Sequence, residues 1–229
     1  MSSFDFDVIV RSLPYVLREG LSFTLMLTVT ASVLGVMLGT MIALMRLSSI
    51  TLLNRVGTLY VNFMRTLPLV LVIFLFYFLM PYVGQWVIGA DRPIKMGAVP
   101  STIITFTLFE AAYFAEIMRA GIQSIARGQS AAGYALGLTY RQVMASVILP
   151  QAFRNMLPVL ATQTIVLFQD TSLVYVLSIS DFLGAASKIA QRDGRLTEMY
   201  LFAAFGYFII SFTASLLVKK LQVRFSIKR

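Results

Sequence analysis

Three carboxylates stand where long apolar runs call for membrane spans: Glu110, Glu116 and Asp170. An ionisable side chain at membrane depth is costly and carries a functional reading by default. Glu116 lies three residues before Arg119, so the two share a helix face and read as a structural ion pair. Glu110 opens a small-residue segment, Glu110-Ala111-Ala112. It either faces a path through the membrane, where it can meet a cation, or pairs with Arg65. Around Asp170 lie Gln163, Thr164, Gln169, Thr171 and Ser172. Such a polar stripe must face protein or water, because lipid leaves polar groups unsatisfied. It either lines a path or serves as interhelical hydrogen-bond glue. The candidates for a path are therefore Glu110, Gln163, Asp170, Thr171 and Ser172.

Other chemistry is excluded by residue type. The chain has no histidine and no cysteine. That removes the Ser/His pair, the HExxH metal site and any thiolate ligand. Catalytic and metal-binding residues are expected to be absent. A phosphate-cradling loop needs Gly-Lys-Ser/Thr, and none of Lys95, Lys188, Lys219, Lys220 or Lys228 follows a glycine.

The elements that hold these residues are membrane helices. Of 229 residues, 58% are hydrophobic and 13% charged, against roughly 45–50% and ~25% in soluble domains. Mean hydropathy is +0.81. The net charge of +9 reads as arginine and lysine placed beside spans, with no nucleic acid as partner. Residues 1–18 mix Phe4, Phe6, Val8, Ile9 and Leu13 with Asp5, Asp7 and Arg11, which predicts an interfacial segment. The layout of a cleavable signal is missing, so the first span is expected to be retained.

That span is the charge-free stretch Gly20 to Met45, with a Gly35/Gly39 pair inside it. The pair is either a close-packing face or the ordinary glycine content of membrane helices. A polar connection, Arg46 to Arg55, follows. The charge-free stretch Thr66–Ala90 holds most of the second span, which is expected to start several residues earlier, near Leu59, with Arg65 and Pro68 close to its beginning. The third runs from about Val99 to Met118, and the fourth from about Phe153 to Leu177. A mixed loop over 179–197 leads to the fifth, about Glu198 to Val218. Residues 221–229 form a basic tail. The prediction is an all-α membrane protein with five transmembrane helices. One side of it holds twelve basic residues and the other seven. The richer side is expected to be cytoplasmic, which places the N-terminus outside (periplasmic) and the C-terminus inside.

Between Arg119 and Pro158 the chain is too polar for lipid. It carries Arg119, Arg127, Arg141 and Arg154 and no acid. Small residues cluster at Gly128, Ala131, Ala132, Gly133, Ala135 and Gly137. Val143, Met144, Val147 and Ile148 recur at helical spacing. Two short surface helices are expected, joined by a turn near Gly137, which suits a left-handed helix end.

Gly137 followed by Ile148-Leu149-Pro150 resembles the cytoplasmic EAA loop of importer-type ABC permeases. Met64-Arg65-Thr66-Leu67-Pro68, Ala112–Ile125 and Phe168–Ser178 resemble the polar amino-acid branch of that family, nearest its glutamate/aspartate importers, and the likeness runs over nearly the whole chain. It implies an importer-type ABC permease domain over 19–220 in a bacterial inner (cytoplasmic) membrane. It also implies a cytoplasmic coupling loop at about 119–150, with Gly128, Ala131, Ala132, Gly133, Gly137, Ile148, Leu149 and Pro150 meeting an ATPase. The implied partners are an ABC ATPase dimer, a second permease chain (paralogue or identical), a periplasmic amino-acid-binding protein and the lipid bilayer. ATP and Mg belong to the ATPase, with no cofactor in this chain. One departure stands out: the family's loop glutamate falls on Ala131, and its two alanines on Ala132 and Gly133.

An amino-acid solute needs donors for its carboxylate and acceptors for its ammonium. Gln163, Thr171, Ser172 or helix N-termini can donate. The resemblance favours path-lining for the stripe around Asp170. Arg65 could match a second carboxylate, but it reads more strongly as a topogenic charge. The competing reading, an ion-coupled secondary transporter, fits the intramembrane acids but not five spans and a long basic loop.

Overall fold

The computed structural model describes residues 4–225, and these contain helices and connections with no strand. The expected tail residues Lys228 and Arg229 lie outside them. Among the described residues, five helical stretches are long and apolar enough to cross a membrane.

The first stretch is longer than expected. Helix α1, Phe6–Tyr15, is capped by Asp5, whose carboxylate accepts from the Asp7 amide at 3.0 Å. It continues through a π-helical turn, Val16–Leu21, into α2, Ser22–Leu47. The whole rod spans Phe6–Leu47. Its charges end the apolar face but not the helix. Val8, Ser12 and Val16 turn inward, while Phe6, Val10, Leu13 and Leu17 stay exposed together with Asp7, Arg11 and Arg18.

α2 runs against α5, Ala98–Gln123. Leu27, Ala31, Gly35, Gly39 and Ala43 are all buried, one every four residues. A Cβ on Gly39 would lie 2.9 Å from the Phe114 Cβ and 3.0 Å from the Ala111 carbonyl oxygen. The glycine pair is therefore a packing face, where two backbones approach without intervening side chains.

The expected second span is two helices. α3, Thr51–Thr66, ends one residue before Leu67-Pro68, and α4, Leu69–Ile88, is the crossing element. The physical reason is local: a residue before proline is driven out of the α region, and Leu67 sits at φ −88°, ψ 140°. A start near Leu59 is thus corrected to Leu69, and Arg65 belongs to the last turn of α3. The Arg46–Arg55 connection shrinks to Ser48–Ile50.

α6, Arg127–Ala135, and the one-turn α7, Tyr140–Gln142, form the polar segment. A second π turn, Val143–Ile148, passes into α8, Leu149–Asp170, and a 3₁₀ stretch, Thr171–Leu177. The expected second surface helix is therefore the start of the fourth crossing stretch, not a separate element.

The expected loop over 179–197 is mostly helical: α9, Phe182–Asp193, with Gly194 at φ +66° closing it. Its charges read as loop, but Lys188 and Arg192 occupy only the outer face. Ala185, Ala186, Ile189 and Ala190 are buried against α1 and α10, Leu196–Phe225.

Candidate functional site

Glu110 sits on the buried face of α5, fully inaccessible, behind Gly35. Its Oε2 accepts from the Gln163 Nε2 of α8 at 3.0 Å. Its Oε1 has no hydrogen-bond partner among the described residues. A buried carboxylate is costly unless it is matched, and this one is matched by the protein on one oxygen only. The structure thus brings two of the five path candidates together. The other three lie about 10 Å further along the α8 axis. Asp170 is its half-buried last residue. Thr171 is buried and donates to the Phe168 carbonyl at 2.7 Å, and Ser172 is half-buried. The helix tightens to 3₁₀ geometry at this point, over Thr171–Leu177.

Arg65 does not pair with Glu110. Its Nη1 reaches Glu116 at 4.0 Å, and its guanidinium lies 5.4 Å from the centre of the Tyr113 ring. Glu116 holds Arg119, as the spacing predicts, and also Arg46 of α2. The helix break at Pro68 explains the difference, because it places Arg65 beside the later turns of α5. Near this cluster a cleft of about 310 Å³ opens between α5 and α8, lined by Glu116, Ser124 and Asn155 among others.

The polar segment is built around Gly137, at φ +79°. The Gly137 amide donates to the Tyr134 carbonyl at 2.9 Å and the Leu138 amide to the Gly133 carbonyl at 3.2 Å. This is the left-handed termination expected of the turn. Thr139 and Gln142 then cap α7 reciprocally. Gly128, Ala131, Ala132, Leu149 and Pro150 are exposed, whereas Gly133 and Ile148 are internal. A Cβ on Gly133 would meet Val143 Cγ2 at 2.9 Å, so that glycine closes α6 onto the π turn rather than leaving room for a partner.

Two features escaped the sequence reading. Tyr134, Leu136 and Tyr140 surround the turn at 49%, 81% and 66% exposure. They form an apolar tip on an otherwise basic segment, and a leucine beside a turn glycine was the available signal. The second is Asp181, fully buried at the start of α9, which accepts from the Leu183 and Gly184 amides at 3.1 and 3.0 Å. Burial pushes its carboxyl up to about 6, against those hydrogen bonds, which pull it down. A cap residue followed by Ala185, Ala186, Ile189 and Ala190 was the signal for this helix.

Residues 11–227 match the family model of the binding-protein-dependent transport system inner membrane component. The chain is 54% identical over 224 residues to the glutamate/aspartate import permease protein GltK of Escherichia coli, covering 98% of this chain and 99% of that protein. It is 34% identical to the probable amino-acid ABC transporter permease protein YckA of Bacillus subtilis, over 97% of this chain and 94% of the other. A crystal structure of an amino acid ABC transporter with histidines matches with a TM-score of 0.87 at 34% identity, over 96% of this chain and 98% of that one. An inward-facing MetNI methionine ABC transporter matches with a TM-score of 0.67 at 18% identity, a likeness of fold alone.

Proposed function

The chain belongs to the family of binding-protein-dependent transport system inner membrane components, and on that premise we propose that it is the permease of an ATP-driven importer of glutamate and aspartate. The solute class rests on the 54% identity to a glutamate/aspartate import permease along the full length. The observation that carries the path is the buried Glu110–Gln163 pair with one carboxylate oxygen unmatched. An α-ammonium supplies what Glu110 lacks, and the Gln163 amide is a donor within reach of a carboxylate. Asp170, Thr171 and Ser172 extend the same route along α8.

The energy enters from a partner ATPase dimer, which holds ATP and Mg. In this reading the exposed surface of α6 and its turn seats on that dimer at the cytoplasmic face of a bacterial inner membrane. Closure of the ATPases on ATP moves α6, and the continuous path through the π turn into α8 carries the motion to Gln163. A second permease chain flanks this one, and a periplasmic binding protein delivers the amino acid. Ala131 removes any carboxylate contact from the docking surface, so Ala131, Ala132 and Gly128 contribute close approach, and the apolar tip contributes burial.

The test is ATPase stimulation in the reconstituted complex of permeases, ATPase and binding protein. Glutamate, aspartate, glutamine, arginine and histidine are added in turn. Stimulation by glutamate and aspartate alone is expected. Stimulation by another amino acid discards the solute. Uptake that persists with no ATPase present discards the importer reading altogether.

A further inference from the structure

We infer that the side-chain contact between Gln129 and Gln151 splints α6 to α8, so that the two glutamines position α8 when α6 is displaced. The inference rests on the ATP-driven reading proposed above. Between α6 and α8 the chain passes through a compliant joint. The Val143–Ile148 turn is π-helical, and the Leu149 amide reaches back five residues to the Met144 carbonyl. Pro150 comes next and has no N–H to give to the preceding turn. Helices bend at such places. The packing of α6 stops short of this joint, because the close approach of Gly133 is to Val143, at the beginning of the turn.

Gln151 crosses the joint. Its Nε2 donates to the Val147 carbonyl at 2.8 Å and to the Gln129 Oε1 of α6 at 3.2 Å. Among the described residues this is the one hydrogen bond between α6 and α8. The next amide along α8, Asn155, donates instead to the Ser124 Oγ at the end of α5, at 2.9 Å. Gln151 is half-buried and Gln129 exposed, so neither side chain is there to fill the core. The Val147 bond already orders the Gln151 side chain, which lowers the entropy lost in making the second bond. One amide thus spans the π turn, the proline and α6. A displacement that the joint would absorb is passed to the first turn of α8, on the route to Gln163.

The experiment measures radiolabelled glutamate taken up per ATP hydrolysed, in proteoliposomes that hold the assembled complex with its binding protein. Gln129→Met and Gln151→Met remove the contact and keep the side-chain length. Each is expected to lower the ratio by about two- to tenfold, the effect of one neutral hydrogen bond, and both to the same extent. Gln129→Glu combined with Gln151→Lys puts an ion pair across the same gap and is expected to restore the ratio. A merely structural role lowers uptake and hydrolysis together; an unchanged ratio in both methionine variants therefore overturns the inference. A fall in Gln151→Met alone leaves that amide serving only the Val147 carbonyl and overturns it as well. So does a fall in Gln129→Met that the paired variant fails to recover, which assigns Gln129 to the ATPase surface. If Gln151→Met does not assemble, Gln129→Met and the paired variant carry the test. A wild-type complex with no ATP-driven glutamate uptake instead sinks the importer reading itself, and the inference with it.

Discussion

Glu110 and Gln163 separate two roles that a buried polar pair can play. Interhelical glue works through mutual satisfaction, so replacing both partners by apolar groups of similar size is nearly neutral. A path works through what the pair offers to a solute, and no apolar pair offers it. Gln163→Leu alone leaves the Glu110 carboxylate without a protein partner at zero exposure and is expected to cost about 1–3 kcal/mol. This reads as a lower apparent melting temperature of the purified complex. Adding Glu110→Leu is expected to recover that stability, because the stranded carboxylate is gone. Solute-stimulated ATPase activity does not return in the double variant. Full stimulation there would reduce the pair to glue and remove Glu110 and Gln163 from the path.

At the scale of elements, α2 and α5 depend on the absence of side chains at their crossing. Gly39 faces the Ala111 carbonyl and the Ala115 amide at 3.0 Å from a built Cβ, and backbone cannot rotate away as a side chain can. Gly39→Leu is expected to force the helices apart at a cost of about 1–3 kcal/mol or more. Gly128→Leu, with nothing within 4 Å, leaves stability unchanged. Thermal unfolding of the two variants checks the contrast, and equal melting temperatures would deny the close crossing. The same elements show what was legible in the sequence. Apolar length gave α2, α5 and α10 because lipid demands it, and Gly137 gave the turn because only glycine takes φ +79° freely. Charge misled at α9, since Lys188 and Arg192 interrupt a hydropathy pattern without interrupting a helix. Arg65 misled differently: its partner followed from the break at Pro68, a three-dimensional consequence of one ring. The Glu110–Gln163 contact joins α5 to α8, and no spacing within either helix encodes it.

For the whole molecule the reading requires one orientation, with α6 and the Gly137 turn in the cytoplasm and the connection between α4 and α5 outside. The physical argument is charge. Arg119, Arg127, Arg141 and Arg154 lie in a stretch with no acid, and basic short loops are retained on the cytoplasmic side during insertion. The connection after Ile88 balances Arg92 and Lys95 against one acid, Asp91, and resists translocation less. The chain contains no cysteine, so single introduced thiols report without background. Asp91→Cys and Ala131→Cys both fall at exposed positions on opposite connections. A membrane-impermeant maleimide is expected to label Asp91→Cys in spheroplasts and Ala131→Cys only in inverted vesicles. The reversed pattern would place the apolar tip of Tyr134, Leu136 and Tyr140 outside the cell, away from any ATPase. The coupling route from α6 through the Val143–Ile148 turn to Gln163 would then have no source of energy at its start.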